Sequence, residues 1–574
     1  MRNLKNVVSL SMGLVVLTFA VLFGMTFVGC SKQETAAPVA AASDTFDLSV
    51  CFASEPQTID PALNSAVDGA VMLQHLFEGL MKWADGGNPA TDKGNMNYAK
   101  LVNGQASSYE KVVNADGTVT YTFKLRPDAK WSDGKAVTAD DFVFTWQRLA
   151  SPATAADYCY MIDMVQGYAE VNSGAADPST LAVSAPDAST FQVTITYDCP
   201  YFLEVCAFPA TFPVRKDIVE ANPDTWTTAN NSANYISNGP YKLAEWVHDS
   251  YIKMVPNEHH YDVANLGPDS ITFRLLADQN AMLAGYRSGD LQFINDMPVD
   301  EVAGLLASGE LDIVDYIGTY YVVYQTQKAP FDDWRVRKAF TLAIDSPYIV
   351  EQITQSGEVP AAGFVPAGIY DADPSGADFR TVGGDYWEIP TTDEIYAKNV
   401  AEAKQLLADA GYPNGEGFPV VTYLYNTNDA NKAIGEALQQ MWQKELGVTV
   451  QLQNQEWNAF LENRKNGEYQ IARNGWIADY NDPISFLDMW LTGGGNNDAQ
   501  YSVAEYDAAI AEAKASADPA VRMAAMHKAE DIIMGRDWAL GPIYFYTQKY
   551  LMQDIDGAFY TPLGYFVFSY ASQN

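Results

Sequence analysis

Short runs of alternating apolar and polar residues recur along the chain, a pattern typical of strands with one buried face. The first run is Asp47 to Ala53. The second is Val119 to Arg126, which follows Asp116-Gly117, a pair typical of hairpin turns. Further strands are predicted at 191–196, 271–275, 292–294, 420–424 and 448–452.

Other segments repeat their apolar residues with the period of an α-helix. One follows Thr138, a residue suited to cap a helix, and places Phe142, Thr145, Trp146 and Leu149 on one face. Further helices are predicted at 281–287, 336–343 and 401–410, and between the strands at 420–424 and 448–452. This mixture of strands and helices predicts α/β lobes with mixed sheets.

Length and charge narrow the class of protein. A chain of 574 residues exceeds the size at which one hydrophobic core stops growing, so two or more lobes are expected. Acidic residues outnumber basic ones 72 to 35, which gives a net charge of −37. The electric field of this negative charge repels phosphate backbones, which argues against nucleic acid as a partner. The 34 Tyr and 12 Trp suit either a large core or a binding cleft.

The N-terminus carries the pattern of an export signal. Arg2 and Lys5 precede an uncharged apolar run at 7–28, and a small residue, Gly29, stands before Cys30. The segment Phe27-Val28-Gly29-Cys30 resembles a bacterial lipobox, which implies a signal peptide at 1–29 and lipidation of Cys30. The alternative is an uncleaved signal anchor, because the run is long enough to span a bilayer.

Both interpretations place the folded part outside the cytoplasm, tethered to a membrane, in the periplasmic space or at the outer cell surface. Residues 30–45 are small and polar and predict a flexible tether. An exported context permits disulfides, but the sequence leaves the pairing open among the remaining cysteines, Cys51, Cys159, Cys199 and Cys206.

Six groups of motifs occur in consistent order from about residue 46 to the C-terminus. The most specific is Arg473-Asn474-Gly475-Trp476-Ile477-Ala478-Asp479-Tyr480-Asn481-Asp482-Pro483. Together they resemble the oligopeptide-binding proteins of ABC importers, which are extracellular solute-binding proteins of family 5. The other groups are 54–63 with 76–80, 123–126 with 130–134 and 138–142, 238–241, 286–290 and 336–339.

The resemblance implies an α/β fold of the periplasmic-binding-protein type II kind, with mixed sheets, two main lobes joined by a hinge and an inserted third lobe. Lobe I would comprise 46–77, 216–318 and 547–574, lobe II the insertion 78–215, and lobe III 319–546. It also implies a monomer that encloses short peptides between lobes I and III and delivers them to an ABC transporter permease.

The resemblance further implies the site residues. Asp479 matches a carboxylate that binds the peptide α-amino group; the alternative role, a helix cap, suits Asp482 better. Arg473 matches a position that can meet the peptide carboxylate, or it forms a structural pair. Backbone contacts are expected at Ser65, Ala66 and Val67 and at Ile477, Ala478 and Asp479. Pocket-lining positions are matched by Trp457, Trp476, Tyr158, Tyr546 and Asn295, each of which also suits core packing.

Four positions depart from the family pattern. Asn431 stands where a His often occurs, and Ser65 stands where a Glu can occur. Ile477 and Gly318 occupy positions that a disulfide joins in some members, so that bond is absent here.

The rival classes are an exported peptidase and a metal protein. Glu258-His259-His260 could suggest a metal site, but neighbouring side chains on a strand point to opposite faces. We find no common catalytic or phosphate-binding motif and predict no enzyme, no cofactor and no metal. Within the binding proteins, an oligosaccharide, a signalling peptide or haem are the alternative ligands.

Overall fold

The computed structural model describes residues 45–52, 55–89, 96–228 and 234–574. The predicted signal peptide, Cys30 and all of the tether except its last residue lie outside these ranges. None of the helices within them combines the length and apolar character needed to cross a bilayer.

The strands begin and end close to the predicted ones. In chain order they are β1 (Asp47–Cys51), β2 (Met81–Pro89), β3 (Asn97–Asn103), β4 (Ala106–Val113), β5 (Val119–Leu125), β6 (Val183–Asp187), β7 (Thr190–Ile195), β8 (Tyr241–Val247), β9 (Tyr251–Pro256), β10 (Ser270–Arg274), β11 (Phe293–Ile294), β12 (Asp312–Tyr324), β13 (Val359–Pro360), β14 (Val421–Asn426), β15 (Val450–Gln455), β16 (Ile471–Ile477), β17 (Leu540–Met552), β18 (Ile555–Asp556), β19 (Phe559–Tyr560), β20 (Phe566–Val567) and β21 (Ser572–Gln573).

The α-helices of the described residues surround these strands. They are α1 (Val67–Leu76), α2 (Ala139–Ala150), α3 (Tyr168–Asn172), α4 (Phe202–Val205), α5 (Lys216–Ala221), α6 (Gln279–Ser288), α7 (Val299–Ser308), α8 (Trp334–Leu342), α9 (Ser346–Tyr348), α10 (Phe379–Gly383), α11 (Asp393–Asp409), α12 (Asp429–Leu446), α13 (Trp457–Lys465), α14 (Ile484–Leu487), α15 (Ala504–Lys514) and α16 (Pro519–Glu530).

One large mixed sheet organises the fold. Its strand order is β15-β14-β16-β12-β17-β11-β1-β10-β9-β8, and β13 also pairs with β17. β1 lies parallel to β10 and β11, whereas β12, β16 and β17 are antiparallel. Two four-stranded sheets, β2-β3-β19-β20 and β4-β5-β7-β6, flank it. The predicted mixed α/β architecture is therefore confirmed.

Two long strands connect the halves of the large sheet. β12 and β17 each have 13 residues and pair with each other. From Gly318 onward, β12 also pairs with β16. Near the other end of the pair, Leu551 and Met552 of β17 pair with β11. The register between the two strands shifts between Asp315 and Thr319. The pairing thus continues from one half of the sheet to the other across a local irregularity.

The helix predicted after Thr138 is confirmed as α2. The Asp141 carboxylate accepts hydrogen bonds from the Thr138 backbone N–H (2.8 Å) and hydroxyl (3.0 Å), which fixes the helix start. Its predicted apolar face is buried against strands of the β4-β5-β7-β6 sheet and neighbouring segments. By contrast, α11 begins at Asp393, eight residues before the predicted start, because Thr392 accepts a hydrogen bond from the Ile395 N–H.

Glu258-His259-His260 does not lie on a strand, so that premise of the sequence analysis was wrong. β9 ends at Pro256 and the segment forms a turn. Glu258 pairs with Lys242 at 2.5 Å, and His260 lies 3.5 Å from the buried Glu78. Across the described residues, no cluster of His, Cys, Asp and Glu is arranged to hold a metal ion.

Three cysteines of the described residues are thiols. Cys159, Cys199 and Cys206 form no disulfide within the described part of the chain. Burial raises the pKa of the Cys199 thiol to about 12 and holds that of Cys206 well above its usual range. Both thiols are therefore protonated at neutral pH.

Candidate functional site

A cavity of about 670 Å³ lies where β12, β16 and β17 meet the start of α1. Segments far apart in the sequence form its wall, and every residue predicted for the site lies on it. These residues are Ser65, Ala66, Val67, Tyr158, Asn295, Asn431, Trp457, Arg473, Trp476, Ile477, Ala478, Asp479 and Tyr546. That each contacts a ligand stays a prediction.

Strand β16 supplies the predicted central motif. Alternation leaves Arg473, Gly475 and Ile477 partly accessible, while Trp476 between them is buried and its indole N–H donates to the Ser485 carbonyl (2.7 Å). Ile477 is the cross-strand partner of Gly318. The two positions are therefore neighbours without a disulfide, and an added Cβ at Gly318 would clash with the Ile477 side chain.

Asp479 follows β16 directly and is buried, with 6% of its surface exposed. Its carboxylate accepts hydrogen bonds from the Tyr158 hydroxyl (3.1 Å) and the Ser485 hydroxyl (3.4 Å). Burial raises the pKa of Asp479 well above its usual range, although both hydroxyls oppose the shift and Asp488 adds to it. Within the described residues no Lys, Arg or His pairs with this carboxylate.

Asp482, one residue before the N-cap Pro483, contacts the start of the helix instead. Its carboxylate accepts from the Ile484 N–H at 3.1 Å, at the start of α14, and pairs with Arg522 at 3.0 and 3.1 Å. Asp482 is therefore compensated within the protein, whereas Asp479, three residues earlier, is not. This difference separates a structural carboxylate from a candidate binding carboxylate in one loop.

Arg473 lies at a cavity wall formed by tyrosines. Its guanidinium donates to the Tyr546 hydroxyl (3.4 Å) and sits 5.3 Å from the centre of the Tyr320 ring. Burial alone would lower the pKa of Arg473, but the surrounding tyrosines, Tyr546 and Tyr320 first, raise it. No Asp or Glu pairs with Arg473 among the described residues. The arrangement suits an anionic ligand group.

The segment from Ser65 to Val67 enters α1 with its backbone beside the cavity. The Ala66 carbonyl accepts from the Ala70 N–H (3.1 Å) and the Asn64 amide (2.9 Å). The N–H groups of Ser65, Ala66 and Val67 make no hydrogen bond within the described residues. They are donors that an extended ligand backbone can use.

Asn431 is held by the protein itself. Its side-chain oxygen accepts from the Tyr320 hydroxyl, and its amide donates to the Asn426 side chain, both at 3.0 Å. This side chain positions Tyr320 beside Arg473. Asn295 differs, because its side-chain oxygen is buried without a hydrogen-bond partner in the described ranges.

Sequence reasoning missed several residues of the wall: Asp68, Asp296, Tyr316, Tyr320, Glu358, Tyr544 and Tyr565. The spacing of Tyr544 and Tyr546 could have indicated that both belong to the wall, since residues two apart on a strand share a face. Tyr320 reaches the site through its pairing with Tyr544, whose ring lies 4.8 Å away at 15°. That contact depends on the tertiary register.

Comparisons with known proteins agree with this architecture. The profile of the bacterial extracellular solute-binding proteins, family 5, middle region, matches residues 100–498. The dipeptide-binding protein DppE of Bacillus subtilis is 32% identical over 560 residues, covering 96% of this chain and 97% of DppE. The periplasmic oligopeptide-binding protein OppA of Salmonella typhimurium is 35% identical over 511 residues, 88% of each. These relatives are binding proteins, which confirms that the chain is not an enzyme.

The structure of the Escherichia coli murein tripeptide binding protein MppA superposes with a TM-score of 0.82 at 30% identity, covering 92% of this chain and 99% of that one. The unliganded open form of MppA superposes with a TM-score of only 0.57 at 32% identity, covering 91% of this chain and 95% of that one. The type II binding-protein fold is thereby confirmed, and the described arrangement is unlike the open form.

We expect Asp479→Asn to stabilise the peptide-free protein at pH 8. A carboxyl whose folded pKa is raised above 3.8 disfavours the folded state increasingly as pH rises from about 4 toward the folded pKa. An amide does not ionise, so the variant should melt a few degrees above wild type at pH 8, with the gap closing near pH 4. Thermal melts across this range measure the difference.

Asp482→Asn is the matched control, because it leaves the Arg522 charge without its partner. That variant should melt below wild type at pH 8. If Asp479→Asn instead lowers the melting temperature to the same extent, Asp479 is a compensated structural carboxylate.

Proposed function

This chain belongs to the bacterial extracellular solute-binding proteins of family 5, and from that membership we propose that it captures short peptides outside the cytoplasm and delivers them to an ABC transporter permease. The observation that carries the proposal is the buried Asp479 carboxylate, which has no cationic partner among the described residues and lies in a cavity that also contains Arg473. A short peptide has one cationic and one anionic end and fits both. The relatives DppE and OppA are a dipeptide-binding and an oligopeptide-binding protein, which supports the same ligand class.

Asp479 would hold the peptide α-amino group. An ammonium beside the carboxylate favours its ionised form, so a proton on Asp479 would leave when the peptide enters. The Tyr158 and Ser485 hydroxyls already orient the carboxylate, so little further ordering is needed. The pair would be buried and hydrogen-bonded, which is the condition for a favourable buried ion pair.

Arg473 would receive the C-terminal carboxylate of peptides that are long enough to reach it. The tyrosines around the guanidinium restrict its position and leave no protein carboxylate as a competitor in the described residues. Arginine binds a carboxylate through two parallel hydrogen bonds. Peptide length would therefore decide how much of the affinity depends on this residue.

The middle of the peptide would pair with main chain. The N–H groups from Ser65 to Val67 and the backbone from Ile477 to Asp479 flank the cavity on two sides. Main-chain pairing does not discriminate between side chains, so broad specificity follows. Trp457, Trp476 and Tyr158 would then provide apolar faces to different side chains, with Tyr546 and Asn295 completing the wall.

We also propose that the lobes move as rigid bodies about β12 and β17. The proposed boundaries, 318/319 and 546/547, fall within these strands, next to the register shift between Asp315 and Thr319. On this division, contacts such as Asp157–Lys465 (2.5 Å) and Tyr158–Asp479 join lobes II and III across the cavity. Opening would break these contacts and expose the site.

The membrane anchor is proposed from the N-terminal sequence alone. Cleavage before Cys30 and lipidation of its thiol would tether the protein through the small polar segment 30–45. A tethered, monomeric binding protein would remain close to its permease.

The ligand proposal is tested with one peptide in four forms: free, N-acetylated, C-amidated and both. Isothermal titration with wild type, Asp479→Asn and Arg473→Gln gives two double-mutant cycles. N-acetylation should cost wild type about 3–5 kcal/mol, because the buried carboxylate is left without its partner. Asp479→Asn should lose most of that dependence on N-acetylation.

The C-amidated peptide serves as the control for the opposite end. The loss of affinity caused by C-amidation should depend on Arg473 and should be the same in Asp479→Asn as in wild type. Equal binding of free and N-acetylated peptide by wild type would reject the amino-group anchor. Binding of a sugar or haem with no binding of any peptide would reject the peptide function.

Domain closure is tested by small-angle X-ray scattering of the protein freed of bound peptide. Adding peptide should reduce the radius of gyration, because lobes I and III would close around the ligand. At a peptide concentration too low for Asp479→Asn to bind the peptide, the radius of gyration of that variant should not change. A radius of gyration that stays constant in wild type at saturation would contradict the hinge.

The anchor is tested by detergent phase partitioning of the full-length chain after expression in bacteria. Wild type should enter the detergent phase, and Cys30→Ser should lose its lipid. If Cys30→Ser still partitions into detergent, the apolar run at 7–28 acts as an uncleaved anchor. Mass spectrometry of the N-terminal peptide distinguishes the lipidated from the uncleaved form.

A further inference from the structure

We propose that Lys514 is a positioning residue for peptide capture, because its ammonium joins Asp163 of lobe II to Asp488 of lobe III and so favours the closed arrangement without touching the ligand. The inference rests on the proposed peptide function and lobe closure, and it names a residue on which closure depends. It follows from three charged side chains that lie outside the cavity.

Lys514 is the last residue of α15 and contacts two carboxylates. Its ammonium donates to Asp488 at 3.0 Å and also donates to Asp163. The lysine side chain is mostly buried, with 15% of its surface exposed, and the Asp488 side chain is only 2% exposed. These three residues are not part of the cavity wall. On the proposed boundaries, Asp163 belongs to lobe II, whereas Lys514 and Asp488 belong to lobe III.

The charge of Asp488 depends on Lys514. One oxygen of this carboxylate, Oδ2, accepts from the Lys514 ammonium, and Oδ1 is buried without a hydrogen-bond partner among the described residues. Burial raises the pKa of Asp488 to about 6, while the Lys514 charge lowers it and Asp163 raises it again. Burial alone would lower the pKa of Lys514, but Asp163 and Asp488 raise it. The lysine is therefore a counter-charge that both carboxylates share.

This shared counter-charge links the two lobes. Because one nitrogen contacts both carboxylates, Asp163 and Asp488 lie close together in the described arrangement. Without the ammonium between them, two like charges would face each other in a poorly hydrated interface. Opening would separate Asp163 from Asp488, so the penalty would fall mainly on the closed form. Lys514 thus shifts the equilibrium toward the form that encloses a ligand.

Other contacts across this interface are of a different kind. The Tyr201 ring stacks on Tyr480 with 4.1 Å between centroids, a contact that carries no charge. Asp157 pairs with Lys465 at 2.5 Å, but 51% of the Lys465 side chain is exposed, and exposed ion pairs contribute little. We therefore expect the electrostatic part of closure to depend chiefly on Lys514.

The test is a double-mutant cycle on the affinity for trialanine, measured by isothermal titration at pH 8. Lys514→Met should weaken binding roughly ten- to a hundredfold, because closure then brings Asp163 against Asp488 without a cation. Asp163→Asn should weaken binding about two- to tenfold in the wild-type background, because it removes the charged hydrogen bond across the interface. In the Lys514→Met background, the same Asp163→Asn change should strengthen binding, because it removes the like-charge contact.

This reversal of sign distinguishes a positioning role from a general contribution to folding. If Lys514 only stabilised lobe III, Asp163→Asn would change the affinity in the same direction in both backgrounds, or in neither, and the inference would be overturned. Lys528→Met is the matched control, because it removes one positive charge from an exposed position of α16, and it should bind like wild type.

Melting curves establish which variants fold. If Lys514→Met does not fold, the single variant Asp163→Asn decides: a loss of affinity supports the cross-lobe bond, and unchanged affinity overturns it.

Small-angle X-ray scattering separates this inference from the two proposals on which it rests. Wild type should contract when trialanine binds, and Lys514→Met should need a higher concentration to contract. If wild type binds and contracts but Lys514→Met and Asp163→Asn behave identically to it, the role of Lys514 is wrong and the peptide function stands. If wild type binds without contracting, lobe closure fails and this inference fails with it. If no peptide binds, the proposed function itself fails.

Discussion

The antiparallel pairing of β12 with β17 is the constraint on which the rest of the structure depends. These strands extend through both halves of the large sheet, so their hydrogen bonds hold the halves together. They also carry much of the site, because Tyr320 pairs with Tyr544, and Tyr546 follows two residues later on the same face. A shift of one residue in this register would turn the tyrosines away from the cavity and leave Arg473 without its surroundings.

The cavity is held in an electrostatically unfavourable state. Burying an ionisable group without a counter-charge costs free energy, and within the described residues Asp479 on the acidic side and Arg473 on the basic side have side-chain hydrogen bonds only to hydroxyl groups. Nearby, Asp482 is compensated by Arg522 in the usual way. At the cavity wall a ligand can recover this cost as binding free energy.

Closed geometry and charge act together in this arrangement. Hydrogen bonds such as Tyr158 to Asp479 and Asn496 to Tyr160 (3.1 Å each) join segments at the cavity. In a low-dielectric enclosure each unpaired charge attracts its counter-charge more strongly than it would in water. A cavity that opened widely while ligand was bound would lose that advantage, so enclosure and affinity are linked.

Much of this protein follows from local sequence. Alternating runs located β1, β5, β7 and β14 to within a few residues, and the Thr138 cap located α2, because these patterns depend on neighbours along the chain. The position of α11 could not be obtained in the same way, since its first two turns carry few apolar residues and Thr392 sets their start. Family-like motifs identified the residues that reach the cavity wall, including Asp479 and Arg473.

What the sequence by itself determined is the fold class and a minority of the wall residues, because both are encoded in short patterns and contiguous motifs. What only the tertiary structure decided is which charges are compensated. Asp482 and Asp479 are three residues apart and chemically identical, yet one faces Arg522 and the other faces the cavity. Compensation depends on distances between segments hundreds of residues apart, and Coulomb interactions depend on those distances rather than on sequence separation.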